Sequence, residues 1–271
     1  MTDIDLIERL TAKAQWAKKH IEKLEAVLGR FPSVSDRANN LIRFEDDLNK
    51  RERTYYIVQV PTVPPDVPLI VGDILHNLRS ALDHLACHLV TIGGGKVTGQ
   101  TCFPIAKGTS EYMSSKFRGK IEGARKEAIE AIDSFQPYKG GNFLLWELHE
   151  LNKLDKHRLL LTACSAHRGH SMTPSERAAM EKIFRDSHPG QPAPQLRGVL
   201  TEVPISGPLK AGDKLRTIPL AEVEQEMKFL IDIAFNEPQI LQCRPVFPLL
   251  YDISEVVMMI ILGLSRDGLL G

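Results

Sequence analysis

The sequence predicts an α+β protein, a helical bundle carrying a small antiparallel sheet, and three observations lead there. Apolar residues recur at helical spacing from Ile7 to Leu28, from Leu69 to Val90 and from Phe247 to Ser265. Between residues 197 and 236 the pattern changes to short β-branched runs, GVLTEVPISGPL, KLRTIPL and MKFLIDIAF, punctuated by turn residues. With 271 residues and 43% hydrophobic content, the chain is large enough to bury one extensive core. The expected organisation is a single domain, 1–271, with a helical core over 1–186 and 247–271 and a β-rich insertion at about 197–236.

The long N-terminal helix rests on Ile7, Leu10, Ala14, Ala17, Ile21, Leu24 and Leu28, a three-four alternation that makes a coiled-coil-like seam. Its partner is either another helix of the chain or the same helix of a second subunit, so a homo-oligomer through this helix is one expectation. Phe31, Pro32 and Ser33 end it. From Leu41 to Val60 the chain reads as a hairpin, with TYYIVQV after a polar bend at Asn49 to Glu52. Pro61, Pro64, Pro65 and Pro68 form a stiff lead into the central helix, 69–90, whose first turn holds Asp73. Gly93, Gly94 and Gly95 release that helix.

An extended piece follows at Cys102 to Ile105, then a helix over 122–135 closed by Gln136 and Pro137. A further helix is expected over 142–164, capped by Asn142, and a short one from Thr173-Pro174-Ser175-Glu176 to Phe184. SHPGQPAPQ is a loop, and the last helix occupies 247–265.

Lys plus Arg and Asp plus Glu are equal at 34 each, so no global field selects nucleic acid or an anionic membrane, and RNA stays open as a partner only through a local groove. Cys87, Cys102, Cys164 and Cys243 form no CxxC pair, which points to reduced, mostly buried thiols. Acidic residues in MTDIDLIERL give no export signal, so a cytoplasmic location is expected. The unbroken apolar run from Val256 to Leu264 falls short of the roughly 20 residues of a span, so no membrane contact is expected and the run reads as a buried terminal helix. There is no GxSxG elbow, GGGK at Gly93–Lys96 lacks the Walker spacing, and no Rossmann glycine pattern occurs; no cofactor is expected.

Two clusters carry the chemistry that the sequence offers. On the central helix, Ile74, Leu78, Leu82, Leu85 and Leu89 share one face, while Asp73, Asn77, Ser80, His84, Cys87 and His88 form the opposite polar stripe. His84 and His88 are one turn apart, as in helical metal pairs, but HLACH lacks the glutamate of the metalloprotease motif; no metal is expected, with His84 and His88 the alternative.

The second cluster is LNKLDKHR. Leu144, Leu148, Leu151 and Leu159 define a core face, and Asn152 and Asp155 fall inside it. A carboxylate there costs several kcal/mol unless it is paired. Arg79 is the expected partner of Asp155, with Arg158 or His157 as local alternatives. One reading makes Arg79 and Asp155 a structural pair fixing helix register. The other brings Arg79, His84, Asp155 and His157 into one catalytic pocket, with arginine for an anionic oxygen and imidazole for acid–base work. Arg79 and His84 stand about 140° apart on the helix, so a shared pocket needs a curling arginine or a second subunit. A third cluster, His167, Arg168 and His170 in AHRGH, is expected in an exposed loop.

Arg79 to His84 fits the Arg-x4-His pattern and so resembles HEPN-type ribonucleases. The resemblance implies an all-helical, commonly dimeric fold in which the arginine and histidine cleave RNA without a metal, promoting attack of the 2′-hydroxyl on the adjacent phosphate. Ser80 departs from the Asn, Asp or His usual after the arginine, and the sheet expected after residue 197 has no place in the minimal fold. The longer combination of GDILHNLRSALDHLA, FPI and LWELHELNKLDKHRLLL resembles a family of bacterial or phage proteins of uncharacterised activity, which implies a bacterial cytosolic setting and brings no reaction. The expected function is therefore a structural, regulatory or interaction module, and the alternative is a metal-independent HEPN-like ribonuclease using Arg79 and His84.

Overall fold

A computed structural model describes residues 3–28, 33–35, 41–157, 161, 163–196, 198–224, 226–237 and 239–271. Phe31 and Pro32, expected to end the first helix, lie outside the described residues, as do Arg158 and Leu159. The fold is α+β, as expected.

Four helices make the main core. α1 (Asp3–Leu28) and α2 (Asp66–Ile92) pack together, and the terminal helix α8 (Val246–Arg266) lies against both. The seam residues Leu10, Ala14, Ala17, Ile21, Leu24 and Leu28 are buried in this core. The partners of α1 are thus α2 and α8 of the same chain, and small Ala14 and Ala17 permit close approach. α2 starts earlier than expected, at Asp66, so that Pro68 falls within its first turn and Asp66, not Asp73, is the acid there; the helix buries Ile74, Leu78, Leu82, Leu85 and Leu89 completely. α8 is long and apolar enough to cross a membrane by length and composition alone, but Leu249, Leu250, Ile253, Val257, Ile260 and Ile261 are fully enclosed within the protein core.

α2 ends where three glycines meet a fourth. Gly95 donates to the carbonyl of Val90 at 2.9 Å, and Gly94 takes a left-handed φ of 87°. Gly123 presses on this end so closely that a β-carbon on it would sit 2.4 Å from the Cα of Gly95. The two short helices α3 (Thr109–Tyr112) and α4 (Ser115–Arg118) precede this contact, and α5 (Lys126–Ser134) follows it. α5 therefore starts later than expected because Gly123 is spent on the contact with Gly95. The fourth core helix, α6 (Phe143–His157), starts at Asn142, whose side chain accepts from the Leu145 amide at 3.2 Å.

α6 stops well short of residue 164. The chain re-forms as β4 (Ala163–Ser171), which pairs antiparallel with β7 (Lys228–Glu237) from Ala163 opposite Phe235 to His170 opposite Phe229. AHRGH is therefore strand and not loop. Gly169 is required where β5 (Leu200–Glu202) comes alongside, since a β-carbon would meet the Thr201 carbonyl oxygen at 2.5 Å. The same sheet takes in β1 (Ser33–Ser35) and β8 (Leu241–Pro245), both paired with β7.

A second sheet joins the expected hairpin, β2 (Ile42–Asp47) and β3 (Glu52–Ile57), to β6 (Lys214–Pro219). Tyr55, Ile57, Ile218, Phe229 and Ile231 form a smaller core between the two sheets. The β structure is thus two interleaved sheets, with strands drawn from well outside 197–236. α7 (Pro174–Ser187) opens on the expected Thr173 cap with a complete Thr173–Glu176 capping box and contributes no buried residue.

Candidate functional site: the outward stripe of the central helix

The polar stripe of α2 faces outward between α1 and α6. Asp73, His76 and His84 are exposed, and Ser80, Cys87 and His88 are half-buried. Asn77 departs from the expected stripe: it is buried, and its amide donates to the Asp73 carbonyl at 2.7 Å.

Arg79 turns inward. Its Nη2 donates to the carbonyl of Phe103 at 2.7 Å and stands 2.9 Å from Asp83 Oδ1, which in turn accepts the Phe103 amide at 2.9 Å. This closed circuit fastens the extended segment at Phe103 to α2. Arg79 and Asp83 lie one turn apart, so helix geometry sets up half of it. The partner of Arg79 is therefore Asp83 and not Asp155. The other terminal nitrogen, Nη1, is buried without a hydrogen-bond partner. Nearby on α6, burial pushes the His149 imidazole down to about 3, and the charges of Arg79, Lys120, Lys153 and Lys107 add to that.

The four expected catalytic residues do not converge. Arg79 is enclosed, whereas His84 is exposed. His157 is also exposed, one side of a shallow depression of about 180 Å³ that it shares with Trp146, Glu150 and Ile240. His88 places its Nε2 2.8 Å from the Leu270 carbonyl, tying the C-terminal turn to α2, so His84 and His88 have separate surroundings. Among the described residues, no group of three or more His, Cys, Asp or Glu side chains is arranged to hold a metal ion.

Asp155 remains the informative residue of the set. It reaches across from α6 and rests on Gly72, whose missing side chain admits it. Burial and the neighbouring Asp73 push its carboxyl above the usual range, while His76 and Lys156 pull the other way. His76 is pushed down by burial, Lys156 and Lys13, against the opposing pull of Asp73 and Asp155. On the α1 side, His20 Nδ1 stands 3.9 Å from Asp73 Oδ2, with the Trp16 ring packed edge-on against its imidazole at 5.4 Å. His20, His76 and the role of Gly72 were not singled out by the sequence reading. The signal available for His76 was Asp73-x-x-His76, a spacing that puts both groups on one helical face.

Two other polar regions flank the bundle. A β-bulge at Arg168 brings His167 and His170 to the same side, 5.9 and 6.4 Å from the Phe229 ring. Burial pushes His170 down to about 4, with Arg216 and His167 adding to it. A cleft of about 550 Å³ between α6, β8 and the start of α8 holds the Glu147–Arg244 ion pair and Arg168, which binds Asp232 and Glu202.

Comparison of the chain with protein-family models, with curated proteins and with solved structures finds no match.

Proposed function

We propose that the protein is a non-catalytic helical scaffold or interaction module in which Arg79 holds the bundle together. The observation carrying this reading is the enclosure of Arg79: its guanidinium is taken up by the Asp83 carboxylate and the Phe103 carbonyl inside the core. A ribonuclease built on Arg79 and His84 needs both side chains on one phosphate, and here the first faces the interior and the second faces solvent. The interaction role is further supported by α7, which buries none of its residues and presents Met180 and Ile183 to solvent. A helix that the core does not use is free to meet another molecule.

The test pairs melting with RNA cleavage. Arg79→Ala should lower the melting temperature sharply, and His84→Ala should leave it unchanged, with RNA intact in the presence of wild type and both variants. RNA cleavage by wild type that is lost in a fully folded His84→Ala variant would overturn the reading in favour of a nuclease.

A further inference from the structure

The cleft of about 550 Å³ between α6, β8 and the start of α8 has two kinds of lining. Val203, Ile205, Ile240, Leu241 and Pro248 make an apolar wall, and Glu147, Glu202, Arg168 and Arg244 bring charge to it. Its volume lies in the range of small-molecule pockets, and an apolar wall with a few placed polar groups is their usual make-up. The charges do not balance. Arg168 binds Asp232 and Glu202, and Arg244 binds Glu147 and Asp252, so two guanidiniums face four carboxylates. Glu202 and Asp252 are exposed to water, and Asp232 also accepts the Ile233 amide at 2.7 Å. Glu147 is different. Its side chain is only 8% exposed, its Oε2 accepts from Arg244 Nη1 at 2.8 Å, and its Oε1 accepts from no described residue. Burial pushes this carboxyl above the usual range although Arg244 pulls it down, and Asp252 adds to the upward push. A carboxylate so enclosed, whose one guanidinium is shared with a second carboxylate, is short of positive charge.

We infer that this cleft binds a small organic cation, a primary amine with an apolar body, whose ammonium donates to Glu147 Oε1 while its hydrocarbon lies on Ile205, Ile240 and Leu241. An ammonium carries three donors and no acceptor, which suits a site whose free polar capacity is a carboxylate oxygen. It also supplies the positive charge that the four carboxylates lack. An organic anion does not fit the same cleft, because both guanidiniums are already taken up by carboxylates. The apolar wall gives the body of the ligand a surface to cover, so charge fixes its orientation and burial adds affinity. The site rests on neither Arg79 nor the scaffold reading.

The test titrates the full chain with phenethylamine, followed by calorimetry and by the methyl resonances of Ile205 and Ile240. Phenylacetate and 2-phenylethanol serve as probes with a similar body that carry a negative charge and none. The expected result is saturable binding of the amine, about tenfold or more tighter than the alcohol, with shifts at both isoleucines and no binding of phenylacetate. Glu147→Gln keeps the side-chain volume and removes the charge; it should weaken the amine by about tenfold or more and leave the alcohol as in wild type, which separates loss of charge from loss of fold. His84→Ala, outside the cleft, should bind as wild type does. The three-probe comparison on wild type needs no variant and so stands even if Glu147→Gln fails to fold. Absence of amine binding, equal binding of amine and alcohol, preference for phenylacetate, or unchanged amine affinity in a folded Glu147→Gln variant overturns the inference.

Discussion

The carboxylate of Asp155 rests against the backbone of Gly72, so close that a β-carbon there would lie 2.7 Å from its Oδ1. α2 and α6 therefore touch at this level through a carboxylate and a bare helix backbone. Gly72→Ala forces the carboxylate to swing away. Replacing a helical glycine with alanine stabilises by about 1 kcal/mol through backbone entropy, which offsets the displaced side chain. The expected outcome is a melting temperature close to wild type, read by calorimetry. A large fall in stability would mean that the Asp155 side chain has no room to turn.

The Arg79 circuit predicts a different pattern. Arg79→Ala leaves the half-buried Asp83 without its cation and the Phe103 carbonyl without its donor, and breaking such a partly solvated set costs about 1–3 kcal/mol. His84→Ala, on the exposed side of the same helix, should stay within about 0.5 kcal/mol of wild type. Urea denaturation of the two variants checks both values. Equal, small effects would show that the enclosed arginine contributes little.

Acid stability should depend on His149. Its folded value of about 3 lies below the 6.5 of a free imidazole. The folded state therefore refuses a proton that the unfolded chain accepts. The stability contributed by the neutral ring is fully present above about pH 6.5 and is lost as the pH falls towards 3. His149→Gln, which cannot titrate, should shift the acid-unfolding midpoint to lower pH, followed by circular dichroism. A midpoint that does not move would assign the acid transition to other groups, with His170 the next to test because burial has lowered it in the same direction.

Gly123 faces two constraints together. Its φ of 87° disfavours any side chain, and a β-carbon would lie 2.4 Å from the Cα of Gly95, where nothing flexible can yield. Gly123→Ala is expected to cost about 2 kcal/mol or more, whereas Gly99→Ala, with open space around it, should cost little. Thermal melts of both variants decide this.

Much of the helical layer was legible because its burial repeats at short range. The seam from Leu10 to Leu28 and the inner face of α2 follow from 3.6-residue spacing alone, and the Thr173 capping box from four adjacent residues. The end of α6 was not legible, because LDKHRLLL continues the apolar pattern past His157 and nothing local marks the change to strand at Ala163. β4 was hidden for a related reason: His167, Arg168, Gly169 and His170 have loop composition, and they become a strand by pairing with β7, about sixty positions away, and with β5.

The site divides along the same line. Asp155 was conspicuous because it breaks a hydrophobic face, and the sequence correctly raised the question of its surroundings. The answer depended on which residue of α2 stands opposite. That residue is a glycine with no side chain to advertise a contact. Arg79 found a neighbour one turn away, which local spacing allowed, but the decisive acceptor was the carbonyl of Phe103, and a backbone atom leaves no trace in sequence.

The interleaving of the two sheets has a consequence for biosynthesis. β1 needs β7, and the second edge of β3 needs β6, so early segments of the chain complete their hydrogen bonding only after more than two hundred residues have been made. Tyr55 and Ile57 must wait, exposed and strand-forming, for Ile218 and Phe229 to leave the ribosome. Contacts that distant slow folding and favour association of unfinished chains. The N-terminal hairpin is therefore the segment that a chaperone would be called upon to shield during synthesis.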